Sequence, residues 1–143
     1  MATGAKDLLN LADFDYQMCL LAEKEFPDEF AVRGALYHLQ QAVEKKLKAL
    51  VLLGGENPPF THDISRLVTI CQRLGFDIDE SAEDIADTMT LWETKTRYDP
   101  YIDFSERKYN KAKHVFIRIS ELADEQIKTF EAIDTLECDE WDR

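Results

Sequence analysis

Apolar residues recur at spacings of three and four along most of this chain, which is the period of one helix face. From Lys6 to Glu25 the stripe is Leu8, Leu11, Phe14, Met18 and Leu21, and it predicts an amphipathic first helix ended by Pro27. Asp28 is placed to accept the first free N–H groups of a second helix, expected from about Glu29 to Leu53 and stopped by Gly54-Gly55. Its stripe is Ala35, Leu36, Leu39, Ala42, Val43, Leu47 and Leu50, bordered by the polar residues His38, Gln41, Glu44 and Lys45. After the turn forced by Asn57-Pro58-Pro59, a short third helix is expected over Ile64–Leu74, with Asp63 near its cap.

The acidic run Ser81-Ala82-Glu83-Asp84 suits the positive end of a fourth helix, which carries Ile85, Met89 and Trp92 and is expected to fade near Lys95. The segment from Thr96 to Phe104 reads as a loop around Pro100. Ser105 then caps a long fifth helix with Tyr109, Ala112, Phe116, Ile119, Leu122 and Ala123 as its stripe. No stretch alternates with period two for long enough to make a strand. The expectation is an all-α fold: an antiparallel up-and-down four-helix bundle with an additional short helix. One domain is expected over residues 1–136, followed by an acidic, frayed tail over 137–143.

Composition narrows the function classes. The chain has 143 residues, enough for one core. Its formal net charge of −12 disfavours broad, sequence-independent nucleic-acid binding, although a local basic pocket is compatible with it. Cys19, Cys71 and Cys138 are widely spaced, without a CxxC pair, and the first two lie in apolar helical surroundings typical of buried thiols in a reducing compartment. No leader-like or membrane-spanning apolar run is visible, so the expected location is the cytoplasm. Three histidines without close spacing make no metal site, and no cofactor is expected. Neither a phosphate-binding glycine loop nor a nucleophile elbow is present.

Three motifs in order carry a resemblance. They are YHLQQAVEKKLKALVLL beginning at Tyr37, then Phe60-Thr61-His62-Asp63-Ile64, then Arg97-Tyr98-Asp99-Pro100. Over roughly Leu8 to Ala123 the chain resembles the HEPN domain (higher eukaryotes and prokaryotes nucleotide-binding), with Asp99 inserted where the family pattern has Arg-Tyr-Pro. The resemblance implies a helical bundle, usually a homodimer. It implies either a metal-independent ribonuclease of toxin type or a non-catalytic module, often paired with a nucleotidyltransferase in a toxin–antitoxin or defence-like setting. The ribonucleases carry Arg and, after four to six residues, His. Arg97 is the natural counterpart of that Arg, and no His follows it, so the motif is not intact and the balance leans against an enzyme.

Two literal matches to the spacing remain, Arg33 with His38 and Arg107 with His114. The second pair shares a helix face but stands about 10 Å apart along the axis, at about 1.5 Å of rise per residue. The candidate ligand-binding residues are Arg97, Tyr98, Tyr101, His38, Gln41 and Lys45, the Arg for a phosphate and the Tyr rings for a base. A ribonuclease would use Arg97 with His38 or His114 as acid/base. Against the ligand stand plainer readings: a hydrogen-bond network setting the bundle register, and Arg97 paired with Glu44 while Tyr98 packs on the core. The leading expectation is a non-catalytic module binding a nucleotide or a nucleotidyltransferase partner, with an RNA ligand possible. The alternatives are the ribonuclease and a purely structural dimeric interaction protein.

Overall fold

In a computed structural model the backbone is described for residues 2–141 and the side chains for residues 4–133. Five helices follow one another: α1 (Ala2–Glu23), α2 (Glu29–Leu53), α3 (Ile64–Arg73), α4 (Glu80–Tyr98) and α5 (Glu106–Trp141). There is no strand among the described residues. The second helix has the predicted bounds because its punctuation is unambiguous. Asp28 accepts a bond from the Ala31 N–H at 3.0 Å, and at the far end Gly55 turns the chain with a φ of 93°. Asp63 and Asp79 cap α3 and α4 in the same way, through the N–H groups of Arg66 and Ser81. Ser105 caps α5, whose Lys108 N–H lies 3.3 Å from its hydroxyl.

Side-chain pairs give the directions. Asp15 with Lys45 and Ala22 with Gly34 run α1 antiparallel to α2. Cys19 with Tyr109 and Lys6 with Glu131 do the same for α1 and α5, and Asp84 with Lys111 for α4 and α5. The result is an up-down-up-down bundle of α1, α2, α4 and α5, with α3 in the long connection between α2 and α4. The central helix is α2, which packs against all four others. Its buried apolar residues, with Met89, Trp92, Tyr109 and Phe116, make the core.

Two expectations are corrected. The α1 stripe Leu11, Phe14, Met18 and Leu21 faces outward, at 52, 63, 36 and 55% exposure. The buried face is a second row, Ala5, Leu9, Ala12 and Cys19, whose small residues let α1 lie close against α2. Thr96, Arg97 and Tyr98 form the last turn of α4 and not a loop. Asp99, the residue before proline, leaves the helix because the Pro100 ring disfavours α geometry there. The α5 helix runs to Trp141, and the expected tail falls largely outside what is described, since the side chains from residue 134 on and all of Asp142 and Arg143 are not.

Candidate functional site

The polar residues beside the α2 stripe do not form one pocket. They divide between two carboxylate-centred clusters on different flanks of the helix.

The first cluster is built on Asp15 of α1, which is buried. Its carboxylate accepts a bond from His38 Nδ1 at 2.9 Å on one oxygen and from the Lys45 ammonium on the other. His38 and Lys45 are seven apart and share a face of α2, so one buried acid on the antiparallel neighbour reaches both. Both candidates are thereby engaged within the chain. Arg33, the other half of the literal Arg33–His38 motif, is not near this cluster. Its guanidinium donates to the backbone carbonyls of Asp99 and Pro100 at 2.6 Å each and lies 3.4 Å from that of Thr96. Arg33 therefore ties α2 to the end of α4, a structural role that nothing in its own neighbourhood of the sequence announces.

The second cluster joins α2, the entry to α3 and the end of α4. Glu44 and Glu93 are both buried. Glu44 accepts from Gln40 at 3.0 Å, from Lys48 at 3.1 Å and from His62 Nδ1 at 2.8 Å. Gln41 joins by donating to the Gln40 carbonyl at 2.7 Å. On the other side, Glu93 Oε1 receives Arg97 Nη2 at 2.5 Å, while His62 Nε2 stands 3.9 Å from the same oxygen. A continuous polar chain thus runs Gln41, Gln40, Glu44, His62, Glu93, Arg97. The Arg97 partner is Glu93, one turn earlier on α4, and not Glu44. The histidine beside Arg97 is His62, and not His38 or His114.

Arg97 is anchored along one edge only. Its Nε donates to the Glu93 carbonyl at 3.1 Å and Nη2 to the carboxylate, while Nη1 has no partner among the described residues. Its guanidinium lies 5.2 Å from the Tyr98 ring centroid, and Tyr98 and Tyr101 are 72% and 83% exposed. Tyr98 does not pack on the core. An arginine with a free edge and an exposed phenol ring against it can grip an anion and offer a stacking surface. His62 is also well exposed, so both faces of this cluster open to solvent although its carboxylates are buried. Each carboxylate is matched by at least one cation, which keeps the buried charges affordable.

His114 lies on α5 beside a separate depression with Tyr16, Asn110, Lys113 and Ile117, away from Arg97. Arg107 and His114 make no contact with one another. Among the described residues no group of three or more His, Cys, Asp or Glu is arranged to hold a metal ion, and no helix is long and apolar enough to cross a membrane. Cys19 and Cys71 are free and buried, and burial pushes their thiols up to about 11 and about 12. Asp15, His62 and Glu93 are cluster residues absent from the sequence candidates, although the i, i+4 spacing of Glu93 to Arg97 was a usable signal.

The HEPN domain model matches residues 5–127. No curated protein and no solved structure matches the chain. With nearly the whole folded length matched and an all-helical bundle observed, the chain belongs to the HEPN domain family, whose family-level link is to nucleotides and RNA.

Proposed function

From membership of the HEPN family and this geometry, we propose that the chain is a non-catalytic module that binds a nucleotide, or a nucleotidyltransferase partner presenting one, at the Arg97 end of the second cluster. The toxin–antitoxin or defence-like setting and a homodimeric assembly are parts of the same proposal. The observation that carries it is the half-anchored Arg97. Glu93 fixes the guanidinium on one edge, so its free edge is pre-oriented for a phosphate oxygen, and Tyr98 and Tyr101 supply exposed rings for the base. Gln41 joins the network behind this site through Gln40, while His38 and Lys45 belong to the Asp15 cluster on the other flank of α2. The homodimer is supported by the outward apolar row of α1, a larger exposed stripe than single surface leucines would give.

The test is calorimetric titration with adenosine monophosphate. Binding by the wild type that falls at least tenfold in Arg97→Ala supports the proposal; equal binding by the variant contradicts it.

A second reading has one observation in its favour. His62 and Arg97 approach the same oxygen of Glu93, and Glu44 holds the His62 Nδ1, an arrangement that orients an imidazole for acid/base work. A metal-independent endoribonuclease would then use His62 with Arg97. Cleavage of single-stranded RNA in chelator, abolished by His62→Ala, would establish it.

A further inference from the structure

A cavity whose lining includes neither Arg97 nor His62 lies where the α1–α2 turn and the α4–α5 connection meet the first turns of α5. It is an open depression of about 450 Å³ lined by Glu23, Phe26, Pro27, Phe104, Glu106, Tyr109, Asn110 and Lys113. Two connections and a helix meet there: the α1–α2 turn supplies Phe26, the α4–α5 segment supplies Phe104, and α5 supplies Tyr109. The ring centroids are 5.4 to 5.7 Å apart and all three pairs are tilted or edge-on, so they form one continuous aromatic wall.

Two features describe what this wall accepts. One is an internal example. The Lys113 ammonium sits 4.8 Å from the Tyr109 ring centroid and 2.5 Å from a Glu23 oxygen, a cation held between a ring face and a carboxylate. That bond keeps the Glu23 carboxyl below its ordinary range, so the pair is fully formed at neutral pH. The other feature is what is left unmatched. Glu106 and Asn110, one turn apart on α5, both line the depression, and neither side chain has a hydrogen bond or ion pair among the described residues. With Glu23 and Lys113 cancelling, Glu106 is the unbalanced charge of the depression. Asn110 beside it offers a carbonyl acceptor.

We propose that this depression is a binding site for an organic cation, an alkylammonium or guanidinium group, whose charge faces Glu106 and whose chain lies on Phe26 and Phe104. The acceptors Glu106 and Asn110 suit a group rich in N–H donors, and the net charge of −12 draws cations to the surface. An anionic ligand meets the unbalanced Glu106 and is repelled. The same chemistry could arrive as a free polyamine or as the Arg or Lys side chain of a partner protein.

The experiment is titration of the full chain, followed by NMR and calorimetry, with spermidine, with agmatine, with an Arg-containing peptide and with the neutral isostere 1-hexanol. Saturable shifts of Phe104, Asn110 and Tyr109 resonances by the cations but not by hexanol are expected. Glu106→Gln, a substitution at an exposed position that leaves the fold intact, should weaken binding about tenfold. Phe104→Ala should weaken it too, and its circular dichroism checks that the helices remain. Tighter binding of the peptide than of spermidine points to a partner side chain, and the reverse order to a free polyamine. Equal binding of hexanol, an unchanged affinity in Glu106→Gln, or no binding at millimolar cation overturns the proposal. Adenosine monophosphate binding that survives Glu106→Gln keeps this site distinct from the one at Arg97.

Discussion

Arg97 and His62, from helix α4 and from the turn before α3, converge on a single oxygen of Glu93, at 2.5 and 3.9 Å. The sum of those two distances is the most that can separate the two nitrogens. That is close enough for both groups to serve one phosphate. The carboxylate between them decides how they can serve it. Glu93 holds Arg97 in place and competes for its positive charge, which favours reversible anion binding over the exchange of protons during bond cleavage.

Removing Glu44 should be the most destabilising change in the polar chain. Its carboxylate satisfies Gln40, Lys48 and His62, so Glu44→Ala strands the buried Gln40 amide and releases the part-buried Lys48 and the exposed His62. A loss of about 2–4 kcal/mol is expected from urea unfolding, against less than about 1 kcal/mol for the half-exposed Arg97→Ala. Equal losses for the two variants would contradict the placement of Glu44 at the centre of the network.

Arg33 should behave as a structural staple and not as a catalytic residue. Arg33→Ala removes its bonds to the Asp99 and Pro100 carbonyls and should cost about 1.5–3 kcal/mol. Arg33→Lys should recover little, because an ammonium cannot reproduce the planar fork that reaches both carbonyls. Hydrogen exchange should speed up in residues 99–103 in either variant.

The Glu23–Lys113 pair predicts a pH dependence with a definite sign. The Glu23 carboxyl is lowered chiefly by the hydrogen bond from Lys113, so the folded state holds its proton less readily than the unfolded chain. Its stabilisation is therefore present above the ordinary carboxyl value near 4.5 and is lost as pH falls through the lowered folded value. The stability difference between wild type and Glu23→Gln should be constant from pH 6 to 8 and vanish in acid. A difference that grew in acid would contradict it.

Neither Cys19 nor Cys71 should react in the native protein. Their thiols are raised to about 11 and about 12 by burial, so almost no thiolate exists at pH 8. Iodoacetamide should label both only after denaturation, as read by mass spectrometry of the peptides that contain them.

The outward row on α1 bears on assembly. Phe14→Glu places a charge in an exposed apolar stripe and should leave the melting temperature within a few degrees. If the homodimer uses this face, sedimentation velocity will show the variant as a monomer and the wild type as a dimer. An unchanged dimer would move the interface elsewhere.

What could be read from the sequence, and what could not, divides along physical lines. The bounds of α2 were legible because Asp28 and Gly54-Gly55 mark its two ends by local chemistry. The end of α4 at Tyr98 was not, since Pro100 denies helix to the residue before it and not to Arg97 or Tyr98. The face of α1 was ambiguous by construction. Both the large row at Leu11, Phe14, Met18 and Leu21 and the small row at Ala5, Leu9, Ala12 and Cys19 have helical spacing, and close packing against α2 selects the smaller. Arg97, His38, Gln41 and Lys45 stand out in the sequence as polar residues bordering apolar stripes. Their grouping was not legible, because it depends on Asp15 and Glu93, acids supplied by two other helices.

The most direct test of the central claim is ¹⁵N NMR of Arg Nε–H and His ring resonances during titration with adenosine monophosphate. The account predicts that Arg97 and His62 shift together with a saturable dependence while His38, held by Asp15, does not move. Saturable shifts at His38 with Arg97 unchanged would contradict it, and so would the absence of any shift at Arg97 at saturating nucleotide.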